Sequence, residues 1–273
     1  MFFTTLSFLY SFLIKIVFYI YKNSLKATPH QPGPYVISVG NITAGGTGKT
    51  PMIGWLINSL KQRGFSSGVV SRGYKKKQKG VVIVSDGEKT VSSVYSSGDE
   101  PFMLSKEHKN TPIVVGKKTT ACKLMQARFN PCFILIDDGF QSLGLSRNLN
   151  IVLIDLSQPL SFYFVLPRGM LREPLKGLCR ANVVIFTKSN SENKNKLKIK
   201  NKIFQHVNKK QTLVLDAILD SRLLFYNKEK ISFEPCTIIN ERALCLSGIA
   251  QSKLFQQTAM QFCKQIVKNL SFK

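Results

Sequence analysis

The sequence contains no C-x-x-C pair, only three histidines, and fifteen acidic residues against thirty-nine basic ones. Six cysteines (Cys122, Cys132, Cys179, Cys236, Cys245 and Cys263) are scattered through 273 residues, several inside apolar runs, so reduced structural thiols in a cytosolic compartment are expected rather than a disulfide scaffold. His30, His108 and His206 stand apart from one another and from the cysteines, which leaves no zinc-ligand cluster in view. The shortage of acid leaves a formal charge of +24 and raises the question of nucleic-acid binding. The densest basic stretch, KSNSENKNKLKIKNKIFQHVNKKQ (188–211), has no interleaved aromatics to stack bases, and no helix-turn-helix, finger or RNP signature occurs. No nucleic-acid partner is therefore expected. A solvated face, or attraction to an anionic membrane or substrate, accounts for the charge instead.

One long apolar run is present. FFTTLSFLYSFLIKIVFYIY (2–21) is interrupted only by Lys15 and as a helix would reach about 30 Å, the thickness of a bilayer core. No small-residue cleavage site follows it. Lys15 at the bilayer centre would cost roughly 2.5–3.5 kcal/mol. A tilted or interfacial helix with Lys15 snorkelling avoids much of this, so membrane association, with Lys22 and Lys26 on the cytoplasmic side, is expected over a full crossing. A buried core helix is the competing reading.

After the joint KATPHQPGP (26–34), apolar runs recur at 35–41, 67–74, 81–86, 112–116, 132–138, 150–156 and 181–188. They are β-branched on both faces, as strands covered above and below by helices are. This predicts a doubly wound, mostly parallel α/β sheet, with a crossover helix over 52–64 closing on Gly64. Beyond the lysine–asparagine stretch, 212–235 reads as short strands joined by turns and 243–270 as one strand followed by one helix. The expected organisation is a membrane-associated helix (1–25), a phosphate-loop core (26–210), and a β-ribbon linker with a small α/β lobe (211–273).

The chemistry concentrates in four stretches. GNITAGGTGKTP (40–51) lies between an apolar strand and a helix, the context of a phosphate loop. Gly45, Gly46 and Gly48 let successive N–H groups turn inward, Lys49 would reach the phosphates and the Thr50 hydroxyl a Mg²⁺ ion. Thr43 stands where the strict pattern asks for glycine; with Ala44 and Thr47 it completes the predicted nucleotide-binding set 43–50. IDDGFQ (136–141) ends a strongly apolar strand, and Asp137 and Asp138 resemble a metal-holding acidic element, although such a pair often only caps a turn. SSGDEP (96–101) places Asp99 and Glu100 in a glycine-flanked turn on a loop surface, where a carboxylate can take a proton from an attacking hydroxyl and where plain surface is the bland reading. LPRGMLREPLKGL (166–178) offers Arg168 and Arg172 for phosphates beside Glu173, or is simply a basic loop.

In order, SVGNITAGGTGKTP, VVSRGY, GDEP, DDGFQ, LPRGMLREP, TK and SGIA resemble the tetraacyldisaccharide 4′-kinase family of lipid A biosynthesis, from about Tyr35 to the chain end. That family's loop has threonine at the position of Thr43. The resemblance implies a kinase that moves the γ-phosphate of ATP, with Mg²⁺, to the 4′-hydroxyl of an acylated disaccharide 1-phosphate. Its expected place is the cytoplasmic face of the inner membrane of a Gram-negative-type bacterium. It also implies Asp99 as base, Asp137, Asp138, Glu173 and Thr50 around the metal, and Glu100, Gln141, Arg72 and Arg172 at phosphate or substrate. Arg168 and Met170 depart from the family's small residues or proline. The sequence stops at NLSFK, where the family continues to an Asp-His segment, so either a truncated chain or an enzyme that works without that partner is expected. The alternatives are a membrane-targeted phosphate-loop ATPase switch, disfavoured by Ala44 where such switches carry lysine, and a nucleotide-binding remnant without turnover.

Overall fold

The computed structural model describes residues 2–24, 33–218, 225–227, 230–232, 238–247 and 252–272. Most of the joint before residue 33, including Lys26, and Gly248, Ile249 and Ala250 of the SGIA motif lie outside the described residues. The chain divides into two compact units, Met1–Ala217 and Ile218–Lys273.

The first unit begins with helix α1 (Phe2–Ser24) and then builds one sheet. Its strands are β1 (Tyr35–Asn41), β2 (Ser67–Ser71), β3 (Val82–Asp86), β4 (Pro112–Val115), β5 (Phe133–Asp137), β6 (Leu149–Asp155), β7 (Val183–Thr187) and β8 (Leu213–Asp216). Their spatial order is β3-β4-β2-β5-β1-β6-β7-β8. Every pairing is parallel except β3 with β4, which is antiparallel. The seven apolar runs are therefore seven of these strands. The eighth, at 213–216, was expected in the linker but extends the sheet beside β7.

Helices cover both faces, which is why the strands carry no polar side. On one face α2 (Lys49–Gln62) buries Ile53 and Ile57 against Val39, Val69 and Leu135, together with Leu104 of α4 (Asp99–Glu107). On the other, α5 (Lys118–Phe129) sets Ala121, Cys122 and Met125 on Val70, Val114, Ile134 and Ile136. Burial of each large aliphatic side chain contributes about 1.5–3 kcal/mol. The unit also has the single turn α3 (Val94–Ser97) and α6 (Lys196–Phe204), whose Ile199 and Ile203 join Phe140, Tyr163 and Phe186 in a third cluster. Strand order reverses around β1, which opens the crevice at the carboxyl ends of β1, β5 and β2 where ligands of such sheets bind.

The second unit holds the antiparallel pair β9 (Phe225–Asn227) and β10 (Lys230–Ser232), then β11 (Ile238–Ser247), α7 (Ser252–Ala259) and β12 (Cys263–Ser271). β12 pairs in parallel with β11. This corrects the expectation of a single long helix toward the chain end: the helical spacing holds only over eight residues, and hydrogen bonding to β11 claims the rest.

Candidate active site

The phosphate loop takes its shape from its own residues. Gly45 and Gly48 have φ of +114° and +90°, conformations that side chains resist, and Gly48 is the N-cap from which α2 starts at Lys49. The helix's unbonded N–H groups thus open toward the loop. Thr43 needs no such freedom, because it lies in extended backbone and pairs with Leu171 in an antiparallel bridge. The Ala44 N–H donates to the Met170 carbonyl and the Arg172 N–H to the Ile42 carbonyl, each at 2.8 Å. The buried Thr43 is therefore the point where a second loop is stitched to the phosphate loop. On the other flank, the Thr187 hydroxyl of the TK motif donates to the Thr47 carbonyl at 3.1 Å.

The acidic turn lies one strand away, since β5 pairs directly with β1. Asp137 accepts from the Ser71 hydroxyl at 2.9 Å through Oδ2, while its buried Oδ1 has no hydrogen-bond partner among the described residues. Burial raises the Asp137 pKa, and the neighbouring carboxylates of Glu100 and Asp138 add to this. Asp138 is shifted the other way. Burial favours its neutral form, but Lys49 and Arg172 outweigh it and hold the carboxyl below the usual range. Its Oδ2 is 2.9 Å from the Arg172 guanidinium and its Oδ1 3.7 Å from Lys49 Nζ. Two adjacent acids pushed apart in this way suit different tasks. Asp137 has an unsatisfied oxygen available for a cation, whereas Asp138 is already paired.

Asp99 and Glu100 are not in a loop as expected. They form the exposed first turn of α4, where the helix dipole favours acids and Pro101 is tolerated. Gly98 caps that turn at φ +87°, and a Cβ there would lie 2.5 Å from the Tyr74 carbonyl, so the turn abuts the segment after β2. The Thr50 hydroxyl donates to Glu100 Oε2 at 2.7 Å. Lys49, Thr50, Asp137, Asp138, Glu100 and Arg172 are thus brought into one site, with Asp99 beside Glu100. Arg72 is exposed at the end of β2 and acts electrostatically on Lys118.

Among the described residues no three His, Cys, Asp or Glu side chains form a metal-holding group. Glu173 explains part of this. It is buried, 2.6 Å from Arg180, and accepts from Gln141 at 2.8 Å, so both its oxygens are engaged away from Thr50 and Asp137. Gln141 also donates to the Asn41 carbonyl at 2.8 Å, which ties this pair to the end of β1.

The family model for tetraacyldisaccharide-1-P 4′-kinase matches residues 1–273. The chain belongs to this family. It is 32% identical over 254 residues to the tetraacyldisaccharide 4′-kinase of Pelodictyon phaeoclathratiforme, covering 90% of this chain and 69% of that one. With the enzyme of the same name from Geobacter metallireducens it shares 46% over 155 residues, 56% of this chain and 46% of the relative. With that of Chlorobium chlorochromatii it shares 39% over 184 residues, 66% and 49%. The matches to these last two span about half of each relative's length. The crystal structure of "apo" form LpxK from Aquifex aeolicus in complex with ATP superposes with a TM-score of 0.73 at 28% identity, covering 98% of this chain and 80% of that one.

Three cations that the structure places around the acidic turn lie outside the motifs quoted from the sequence. Lys118 Nζ donates to the Asp138 carbonyl. Arg147 donates to the Gly139 carbonyl at 2.6 Å and the Phe140 carbonyl at 3.0 Å. Arg180 stacks 4.6 Å from the Phe140 ring while pairing with Glu173. Burial lowers the Lys118 pKa against the pull of Asp138 and Asp137, and lowers that of Arg147 to about 10 with help from Arg180. Asp138 itself sits at φ +50°, which is uncommon for a residue with a side chain and is sustained here by these bonds. Only the density of lysine and arginine hinted at them, and that signal is shared by dozens of solvated residues.

Proposed function

We propose that this chain catalyses ATP-dependent phosphorylation of the 4′-hydroxyl of a tetraacyldisaccharide 1-phosphate, a step of lipid A biosynthesis, at an anionic membrane surface. The hydrogen bond between Thr50 and Glu100 carries the reading. It brings the acid pair of α4 to the phosphate loop, so a proton acceptor lies beside the group that presents the phosphate. In this reading the N–H groups of the loop and Lys49 hold the β- and γ-phosphates, and Arg172 fixes Asp138 at their edge. Asp99, exposed next to Glu100, orients the sugar hydroxyl and takes its proton as the oxygen attacks phosphorus and the bond to ADP breaks.

A magnesium ion fits the residues present. Thr50 Oγ1 and the unpartnered Oδ1 of Asp137 are the oxygens that would hold it, and it would supply charge neutralisation on the phosphates. Glu173 supports Gln141 rather than the ion. The apolar stretch Phe3–Ile20, with mean hydropathy 1.7, is long and apolar enough to cross a membrane. Its polar contacts with the 165–172 loop favour lying along the surface, on the cytoplasmic side of the inner membrane, where the acylated acceptor resides.

The test is transfer of labelled γ-phosphate to detergent-dispersed tetraacyldisaccharide 1-phosphate with Mg²⁺. Labelled lipid that disappears in Asp99→Asn supports the assignment. ATP hydrolysis without labelled lipid points to a phosphate-loop switch, and nucleotide binding with neither reaction to a remnant.

A further inference from the structure

We propose that α1 is a positioning element of the active site, in which Ser7 and Tyr10 hold the 165–172 loop so that Arg172 meets Asp138. This rests on the phosphoryl-transfer reading above and adds two residues to it.

α1 has two unlike faces. Phe8, Leu9, Phe12, Val17 and Tyr19 are exposed. Ser7, Tyr10 and Phe18, spaced so that they share a stripe, turn the other way. Ser7 is buried; its hydroxyl donates to the Val165 carbonyl at 2.9 Å and accepts from the Arg168 N–H at 3.1 Å, besides reaching the Phe3 carbonyl at 2.9 Å. The Tyr10 hydroxyl donates to the Arg172 carbonyl at 3.1 Å. The Phe18 ring lies 4.6 Å from the Arg180 guanidinium, the same group that pairs with Glu173.

The loop gripped in this way is bonded on its other side to the phosphate loop at Ile42 and Ala44, and through Arg172 to Asp138. It is a strap with α1 on one edge and the phosphate site on the other. Apolar side chains would suffice to rest a greasy helix on a protein surface. Hydroxyls aimed at backbone groups of 165, 168 and 172 fix the strap's register instead, and site geometry must hold within about 0.5 Å to be productive. Loss of one such bond is worth about fivefold to tenfold in rate when the group it positions acts in the transition state.

The experiment uses the full chain in detergent micelles with labelled ATP and the acceptor lipid. Ser7→Ala and Tyr10→Phe are each expected to lower kcat about fivefold to tenfold with KM for ATP and lipid unchanged. Co-sedimentation with phosphatidylglycerol vesicles is expected to stay at the wild-type level, since neither residue lies on the exposed face. In an Arg172→Ala background, Tyr10→Phe is expected to have no further effect on kcat: the backbone carbonyl that accepts from Tyr10 remains, but the guanidinium that this bond positions against Asp138 is gone. The same loss in both backgrounds, a change in KM alone, or no change overturns the proposal. Amide hydrogen exchange at Arg168 provides a readout independent of the acceptor. It is expected to accelerate in Ser7→Ala, where the Arg168 N–H keeps only its bond to the Val165 carbonyl and that carbonyl loses its Ser7 donor, and unchanged exchange there overturns the strap even if the wild-type chain transfers no phosphate to this lipid.

Discussion

The phosphate loop and the acidic turn lie at the ends of neighbouring strands, yet they are held in different ways. The loop bends through glycines and leans on backbone partners, so most of its geometry is written within 43–50. The turn at 138–140 presents three consecutive carbonyls to Lys118 and Arg147, and its carboxylate to Arg172. Those cations come from α5, from the segment before β6 and from the loop after β6. A glycine loop is therefore a local device that any sheet of this kind can carry. The acidic turn is a convergence of distant segments and depends on the whole unit being folded.

Perturbing each side separately tests this contrast. The largest effect is expected from Lys49→Ala, which leaves the fold intact and lowers labelled-phosphate transfer by about 10³-fold, the scale of losing a charge-stabilising donor. Next comes Glu173→Ala. Removing the buried partner of Arg180 is expected to cost about 3 kcal/mol in urea unfolding, because a cation is left without its counter-charge. Lys118→Met should lower kcat about tenfold to a hundredfold at unchanged KM for ATP, since it frees the Asp138 carbonyl and relaxes the turn rather than the loop. Equal losses of kcat and nucleotide affinity would place Lys118 on the phosphates instead.

Asp137→Asn and Asp138→Asn should move stability in opposite directions in Mg²⁺-free buffer at pH 7. The Asp137 pKa is raised in the folded state, so its charge opposes folding at neutral pH. Asparagine is expected to raise stability there, a gain that vanishes below the usual carboxylate range, where the unfolded chain is protonated too. The Asp138 pKa is depressed, so its contribution is present above the unfolded value and is lost as pH falls through the folded one; asparagine removes it. Thermal melts from pH 3 to pH 8 read both signs. The smallest effect is expected from Thr43→Gly, below about 1 kcal/mol in stability and within threefold in transfer, because the bridge to Leu171 uses backbone.

Legibility followed the same divide. Seven of the eight sheet strands, the glycine loop and the adjacent acids could be read from runs and spacing, because β-branched segments and glycine turns are local signals. Glu100, which accepts from Thr50, and its neighbour Asp99 were read in a turn rather than at the start of α4, where Pro101 is accommodated in the helix's first turn. Lys118, Arg147 and Arg180 were invisible among so many basic residues. Ser7 and Tyr10 lie inside the apolar run 2–21 and nothing in the sequence set them apart. Cys263–Ser271 was misread because a strand paired to β11 overrode a helical pattern that ran on from α7.

By itself the sequence determined the sheet's composition and the shape of the phosphate loop, through steric preferences that act within a few residues. Only the tertiary structure decided which acid is paired and which is left with an open oxygen. Desolvation and the distance to Lys49, Arg172 and Ser71 set that outcome, and none of these exists until segments more than thirty residues apart come together.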